Sequence, residues 1–508
     1  MEVEELSKSR IARNTVFLYF RMLFVMGVTL YTSRAILEIL GIEDFGIYQS
    51  VGGIVGMMSF VNSAISAGTS RFITYELGRN DRRRLEETFC TTVNIQIFLI
   101  LLIILVAETL GSWFVIHKLQ IPDESRQPAL WAYHLSIFTT AVSLFTIPYQ
   151  ASVIAHERMK VFAYIGIIEV CSKLGIVYLL ILSSISRLVT YAFLLLIVQI
   201  AITSFYVIYC TRTFDECRYR FVINRDIMKQ IAGFSGWNLF ASTSMALNNQ
   251  GVLVLLNVFF SPAVVTARAI SLQVNTAANQ FVNNFRLAVN PQIVKQYAAG
   301  NLLQSKNLLL SSTKFSYYLM FIISLPIFMG AKPLLSVWLK IVPDYTTIFL
   351  QLVIIQSLFQ VFDTSFYTAL YAKGDLKLNA LISPTVGFLM FPIVYILFRN
   401  GASPIALSWA SLVMYALLGL IVKPILIIKI ADYKWKEILG VYQPCLIVSL
   451  IAGFISYMIC REINIDKNFL QLCATTGVCL VISFSTIYVF GLDKNMRSKI
   501  ISLIKKKL

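Results

Sequence analysis

Charged residues are scarce in this sequence, and those present are unevenly balanced. Only 14% of the 508 residues are Asp, Glu, Lys or Arg, while 57% are hydrophobic. Soluble domains carry about 25% charged and about 45–50% apolar residues. The 43 basic residues outnumber the 26 acidic ones, which gives a formal net charge of +17. This shortage of charge excludes a soluble domain of useful size and predicts a chain that lies mostly in lipid.

The residue patterns that carry enzyme chemistry are also missing. The eight cysteines form no C-x-x-C pair, so neither a metal site nor a disulfide framework is expected. No Walker loop and no H-E-x-x-H pattern occurs, and the three histidines, His117, His134 and His156, lie far apart. We therefore expect no catalytic residue, no metal and no cofactor, and a protein that is not an enzyme.

The excess of basic residues could indicate binding to nucleic acid. However, these residues lie in the short segments between apolar runs, where a bilayer topology places them. Basic clusters at such positions contact membrane lipids through the headgroups. The pattern therefore favours membrane lipids as partners and argues against nucleic acid.

The apolar runs predict an all-α, polytopic membrane protein of about fourteen transmembrane helices, because about 20 apolar residues cross the bilayer core. The predicted helices cover residues 14–36, 47–70, 89–116, 129–154, 161–183, 188–211, 231–260, 263–290, 307–330, 347–371, 378–398, 402–430, 440–460 and 469–490.

Loop charges predict the orientation of these helices. With the N-terminus in the cytoplasm, the loops on that side hold roughly three times as many Lys and Arg residues as the opposite loops. This alternation indicates an even number of helices with both termini cytoplasmic, in a multi-pass protein of the bacterial inner membrane. The first apolar run has no Ala-x-Ala-type cleavage site, so we expect it to be retained as the first helix.

A weak internal repeat predicts the domain organisation. Residues 151–165 align without gaps with residues 368–382, and both follow the fourth helix of a six-helix unit. Transporters are often built from two such halves. The predicted regions are an N-terminal lobe (1–212), a cytoplasmic linker (213–230), a C-terminal lobe (231–430), and helices 13 and 14 with a basic tail (431–508).

The eighth predicted helix carries a stripe of Arg and Asn residues, which fall on one face at 3.6 residues per turn. The stripe consists of Arg268, Asn275, Asn279, Asn283, Arg286 and Asn290. Such a stripe suits the wall of a hydrated, cationic cavity that binds substrate. The alternative is that the Asn side chains form hydrogen bonds between helices.

Other charged residues within or near predicted helices are candidates because charge is costly in the bilayer. Arg21, Arg34 and Lys173 could extend the cationic cavity. Glu169 and Lys173 are spaced at i and i+4, so they either neutralise each other or form an ion relay. Asp363 has no charged partner at i±3 or i±4 and is a candidate for coupling to a proton or sodium ion.

A cationic cavity lined by Asn suits an anionic, polar ligand. Arg binds phosphate in a bidentate manner, and Asn offers donors and acceptors to sugar hydroxyls. A lipid-linked oligosaccharide, in which a diphosphate joins the sugars to the lipid, combines both requirements.

Two segments resemble those of a known family. Residues 40–48, LGIEDFGIY, look like the LG-x-x-x-(F/Y)-G-x-Y segment of the polysaccharide (O-antigen-type) flippases, a branch of the multidrug/oligosaccharidyl-lipid/polysaccharide (MOP) exporter superfamily. Residues 147–159, IPYQASVIAHERM, are similar to the pattern that follows helix 4 in that family. The resemblance covers the first third of the chain.

The resemblance implies a MOP/MATE-like fold of two six-helix lobes plus two C-terminal helices. It also implies translocation of undecaprenyl-diphosphate-linked oligosaccharide by alternating access, for surface polysaccharide biosynthesis such as the O-antigen of lipopolysaccharide. Arg21 and Arg268 map by position onto the family's cationic cavity.

Two other functions remain open. A cation-coupled multidrug or metabolite exporter of the same superfamily often uses an acid in helix 1, where this sequence has Arg21 and no mid-membrane acid. A membrane glycosyltransferase or polymerase needs carboxylates on a substantial periplasmic loop, and the sequence has no such loop.

Overall fold

The fold is that of a computed structural model, which describes most of the chain. The described residues are 2–58, 69, 72–73, 76–77, 81–156, 158–183, 186–222, 224–375, 377–463, 465, 467–492 and 497, without the side chains of residues 2–22, 58, 159, 230, 232–238, 241, 287–288 and 291. Every regular element in these ranges is helical. The predicted all-α class is therefore confirmed.

The chain forms two compact units, Met1–Thr266 and Ala267–Leu508. The helices that lie wholly in the first unit are α1 (Glu2–Met58), α2 (Arg82–Val106), α3 (Ser112–Lys118), α4 (Arg126–Phe145), α5 (Ile147–Ala155), α6 (Met159–Ile181), α7 (Arg187–Thr213), α8 (Arg225–Ala246) and α9 (Val252–Phe259). The next helix, α10 (Pro262–Ala298), begins in the first unit and continues in the second.

The remaining helices belong to the second unit. They are α11 (Leu302–Met329), α12 (Ala331–Trp338), α13 (Thr346–Lys373), α14 (Lys377–Arg399), α15 (Ala406–Leu417), α16 (Lys423–Ala431), α17 (Trp435–Glu462) and α18 (Asn468–Thr486). Helices α8 and α9 group with the first unit, although the sequence placed them in the C-terminal lobe. The division into six, six and two helices remains a prediction.

Every predicted helix overlaps a helical segment of the described chain, in the predicted order. Within the described ranges, eleven segments are long and apolar enough to cross a membrane. The polar helix α10 is not among them, so a total of fourteen crossings remains a prediction. Large apolar side chains are exposed along one face of α2, where Phe98, Leu101 and Leu105 are each more than 60% exposed. Such faces suit lipid contact.

The glycine-containing segment 40–48 has two backbone roles in the first unit. Gly41 has φ of +81°, which interrupts α1 and separates the first two predicted helices. At Gly46 the backbone of Pro262 approaches so closely that a Cβ on residue 46 would lie 2.0 Å from the Pro262 carbonyl oxygen. Tyr48 packs edge-on against Tyr191 at 4.8 Å between ring centroids. The segment that carries the family resemblance therefore contains a break in α1 at Gly41 and a close backbone contact at Gly46.

Replacing Gly46 with alanine is expected to destabilise the protein by about 1–3 kcal/mol, because the added methyl group overpacks a backbone contact. Gly27→Ala is the matched control in the same helix, since a Cβ there meets no atom within 4 Å. The measurement is thermal unfolding of detergent-solubilised protein, followed as loss of the monodisperse peak. Equal melting temperatures for the two variants would contradict the close approach at Gly46.

The second resembling segment contains His156, which pairs with Glu216. His156 follows α5, and its Nε2 lies 2.5 Å from Oε1 of Glu216, while its ring stacks on Phe214 at 4.0 Å. These contacts join the segment after α5 to the segment after α7. The contacts of His156 therefore hold the segment after α5 against the segment after α7.

Most of the cysteines are buried and pack as small hydrophobic residues. Cys90, Cys210 and Cys217 lie in one buried cluster of the first unit. A hydrogen bond with Cys210, together with burial, raises the pKa of the Cys217 thiol. Cys171 and Cys473 are exposed instead.

Candidate functional site

A buried acid–base pair lies in the second unit, between two helices distant in sequence. Asp363 of α13 and Lys423 of α16 approach to 3.4 Å between Oδ1 and Nζ. The Lys423 side chain is only 3% exposed and that of Asp363 is 18% exposed. A buried charge is costly unless it is paired, so the two residues depend on each other for stability. The partner that the sequence did not reveal for Asp363 lies across a helix interface.

Lys423 also has uncharged partners on a third helix. Its ammonium group donates hydrogen bonds to Oδ1 of Asn379 and, at 3.1 Å, to Oγ of Ser383, both on α14. The ammonium also lies 5.4 Å from the ring centroid of Tyr367. Lysine has three N–H donors, and two are occupied without the carboxylate. Lys423 therefore keeps polar partners when the charge of Asp363 changes.

A second cation lies close to the same acid. Arg286 of α10 donates through Nη2 to the carbonyl oxygen of Thr364, the residue that follows Asp363. The charges of Arg286 and Asp363 attract each other. The Nε of Arg286 is buried and receives no partner within the described part of the chain. Arg286 thus lies near the acid that forms an ion pair with Lys423.

A third cation, Arg268, lies near the start of α10 and is the second residue of the second unit. It is 4% exposed, and its Nη1 donates to Oγ of Ser408 on α15 at 3.1 Å. Its guanidinium carbon lies 5.8 Å from the centroid of the Phe349 ring. Among the described residues, its Nε has no hydrogen-bond partner and no ion pair includes Arg268. The guanidinium therefore has unused capacity for an anion.

The Asn residues of α10 form hydrogen bonds to α13. Ser357 of α13 donates to Oδ1 of Asn275, and Asn279 donates through Nδ2 to Oγ of Ser357 at 3.4 Å. Thr368 donates to Oδ1 of Asn290 at 3.3 Å. These contacts are the interhelical hydrogen bonds that the sequence left as an alternative. Asn283, by contrast, is exposed.

The other predicted site residues lie in the first unit. Glu169 and Lys173 form an ion pair of 2.6 Å within α6, with side chains 35% and 42% exposed. The predicted mutual neutralisation is therefore present. Arg34 is half-buried in α1. Arg21 belongs to α1, but its side chain lies outside the described residues.

The sequence did not single out Lys423, although this residue lies within the predicted helix 402–430. The five residues Leu418–Val422 form a π-helical turn directly before it. Pro424 follows Lys423 and has no N–H group for an α-helical hydrogen bond. The neighbouring Gly419 and Pro424 were the sequence signal for this irregular turn, and π turns often occur at functional sites.

Comparisons with known proteins identify the fold. No protein-family profile matches the sequence, and no curated protein sequence matches it. Solved structures do match. The lipid II flippase MurJ, in an inward closed conformation, superposes with a TM-score of 0.70 at 12% identity, over 93% of this chain and 99% of that one.

Two other transporters give similar results. An inward-facing multidrug resistance MATE transporter of the MOP superfamily gives a TM-score of 0.67 at 12% identity, over 80% of this chain and 96% of that one. A MOP superfamily transporter from Pyrococcus furiosus, described as having a binding pocket of reverse polarity, gives 0.59 at 12%, over 82% and 95%. The chain therefore has the all-helical, polytopic membrane fold of the MOP-superfamily transporters.

Proposed function

We propose that the protein is a flippase that translocates undecaprenyl-diphosphate-linked oligosaccharide from the cytoplasmic to the periplasmic leaflet of the bacterial inner membrane by alternating access. Its product would serve surface polysaccharide biosynthesis, such as assembly of the O-antigen of lipopolysaccharide. The proposal combines the fold with the charges inside the second unit.

The observation that carries the proposal is an excess of buried positive charge. Arg268 and Lys423 are buried in the second unit and Arg286 is half-buried there, whereas Asp363 is the acid that lies near Lys423 and Arg286. Keeping unneutralised cations in a membrane protein is costly. An anionic diphosphate can offset that cost when it binds, because arginine and lysine are its preferred partners.

We assign roles to the remaining candidates on the same basis. Asn275, Asn279 and the exposed Asn283 on α10 would offer polar contacts to sugars. Arg21, Arg34 and Lys173 of the first unit would contribute further positive charge on the substrate's path. Glu169 is already paired with Lys173, so its proposed part in ion coupling requires that pair to open.

Asp363 is the residue that we propose for coupling to a proton or sodium ion. Its Oδ1 is 3.4 Å from Lys423 but receives no well-aligned hydrogen bond from the described residues. A bound proton or sodium ion would release Asp363 from Lys423, whose ammonium keeps Asn379 and Ser383 as partners. The released lysine would then be available to an anion.

A second candidate function is cation-coupled export of a drug or metabolite. It is favoured by the structural likeness to a MATE transporter and by the presence of a buried acid, Asp363. A sensitised strain that expresses the protein should then resist cationic compounds. The excess of buried cations favours the anionic substrate over this alternative.

The flippase is tested by deleting the gene and locating the lipid-linked intermediate. We expect undecaprenyl-diphosphate-linked oligosaccharide to accumulate in the cytoplasmic leaflet, and surface polysaccharide to fall at least about tenfold. The unchanged gene should restore both. A variant at the exposed Lys332, Lys332→Met, should also restore both and serves as the control for surface charge. Normal surface polysaccharide in the deletion strain would contradict the proposal.

A further inference from the structure

The membrane helix that carries Lys423 contains a five-residue π turn where another helix approaches closely. The turn, Leu418–Val422, joins α15 to α16. A Cβ on Gly419 would lie 2.4 Å from the carbonyl oxygen of Phe359 on α13, so only glycine allows this approach. The missing N–H of Pro424 also weakens a regular α-helical ladder here. The sequence thus permits the turn.

A tyrosine from a different helix is hydrogen-bonded to this turn. The hydroxyl of Tyr442, on α17, donates to the carbonyl oxygen of Gly419 at 2.5 Å and is buried. The Tyr442 ring also packs edge-on against Phe362, the neighbour of Asp363, at 4.7 Å. Tyr442 therefore contacts both the turn before Lys423 and the helix turn that carries Asp363.

The π turn changes the direction in which Lys423 points. At about 100° per residue, an uninterrupted helix would place residue 423 about 60° from Ser408 and about 120° from Ser411. One extra residue in the wide turn reduces these angles to about 40° and about 20°. Ser408 contacts Arg268, and Ser411 is buried. The turn therefore brings Lys423 onto the polar, interior face of its helix.

The same contact occurs elsewhere in the chain, which provides a control. In the first unit, Tyr133 donates to the carbonyl oxygen of Ala107 in the π turn Ala107–Gly111, at 2.8 Å. In the second unit, Tyr318 donates to the carbonyl oxygen of Gly491, in the π turn Ile487–Gly491, at 3.0 Å. We call Arg268, Arg286, Asp363 and Lys423 the charged network, and none of these four residues follows the turn at Gly491 in the sequence. Tyr318 is thus a matched tyrosine whose loss should leave Lys423 in place.

We propose that Tyr442 is a positioning residue whose hydroxyl holds the π turn at Gly419 and thereby sets Lys423 opposite Asp363. Through this contact, helix α17 controls whether the cation and the acid can pair. The importance of that pair for transport rests on the proposed flippase function. The register of the helix, meaning which residue points toward Asp363, is a property of the fold. It can be measured without measuring transport.

Cross-linking measures the register without transport. Asp363→Cys is combined with either Lys423→Cys or Val422→Cys in a background without native cysteines, and treated with a short thiol-specific cross-linker. With Tyr442 present, we expect the pair at 363 and 423 to react several times more than the pair at 363 and 422. Tyr442→Phe keeps the ring but removes the donor, and should reverse the preference, because position 422 takes that direction in a regular helix. Tyr318→Phe should leave the preference unchanged. An unchanged preference in Tyr442→Phe would overturn the proposal.

Moving the lysine by one position tests the same idea through function. In the otherwise native chain, Val422→Lys with Lys423→Val should reduce surface polysaccharide in the complementation assay at least about tenfold. Combined with Tyr442→Phe, the same exchange should restore polysaccharide above the level of Tyr442→Phe alone. No rescue, together with an unchanged cross-linking preference in Tyr442→Phe, would contradict the proposed positioning role. A reversed cross-linking preference in Tyr442→Phe would support the positioning role of Tyr442. If Asp363→Asn nevertheless transported normally, the coupling role of Asp363 would be contradicted.

Discussion

Transport by the Asp363→Asn variant is expected to fall at least about tenfold, while Asp375→Asn, in the exposed segment after α13, should behave like the unchanged protein. The reason is that asparagine in place of Asp363 would retain the shape of the side chain but could neither carry the negative charge nor exchange it for a proton. The measurement is surface polysaccharide in the complemented deletion strain, with the membrane content of each variant determined in parallel.

The double variant Asp363→Asn with Lys423→Met separates a coupling role from a structural one. Removing one partner of a buried pair costs about 3–5 kcal/mol because the other charge is left alone, whereas removing both partners is often neutral. We therefore expect the double variant to recover the thermal stability lost by Asp363→Asn. Transport should remain low, because the coupling group is absent. Recovered transport in the double variant would mean that the pair is only structural.

Arg268→Met is expected to abolish most transport while leaving the protein as stable as before, or more stable. The Arg268 guanidinium is buried, one of its donors lacks a partner, and it has no ion pair among the described residues. Replacing a buried charge with an apolar side chain of similar volume is often neutral or stabilising, by about 1–4 kcal/mol. A melting temperature and a transport rate that move in opposite directions would identify Arg268 as a residue retained for function.

Arg268→Lys provides the graded comparison for this prediction. Lysine keeps the charge but loses the planar fork that binds phosphate in a bidentate manner. We expect transport between that of the native protein and that of Arg268→Met. The control is Lys332→Met, which removes an exposed cation from the same unit. Loss of both stability and transport in Arg268→Met would instead assign Arg268 to packing.

Much of the fold could be predicted because it follows from local patterns. Each helix predicted from a hydrophobic run overlaps a helical segment in the predicted order, and in the structure Gly41 separates the first two predicted helices through its positive φ. The ion pair of Glu169 and Lys173 followed from their spacing on one helix. The close approach at Gly46 was not predictable, because its partner Pro262 is more than 200 residues away.

The charged network was only half predictable, for a physical reason. The sequence singled out Asp363, Arg268 and Arg286 because charge within an apolar helix is unusual. It did not single out Lys423, whose burial depends on the π turn at Gly419, to which Tyr442 donates, and on the hydrogen bond that Lys423 donates to Asn379 of another helix. Helical periodicity also could not decide between a cavity wall and interhelical hydrogen bonds for Asn275, because both place it on one face.

The most direct test of the proposed function is translocation by the purified full-length chain. The protein is reconstituted into proteoliposomes that contain undecaprenyl-diphosphate-linked oligosaccharide with a fluorescent sugar, and a membrane-impermeant reagent reports how much of it crosses to the other leaflet. For a flippase we expect crossing that requires the protein, falls at least about tenfold in Arg268→Met, and persists in Lys332→Met. Crossing no faster than in protein-free liposomes would contradict the proposed function, and so would transport of a cationic dye with none of the lipid-linked sugar.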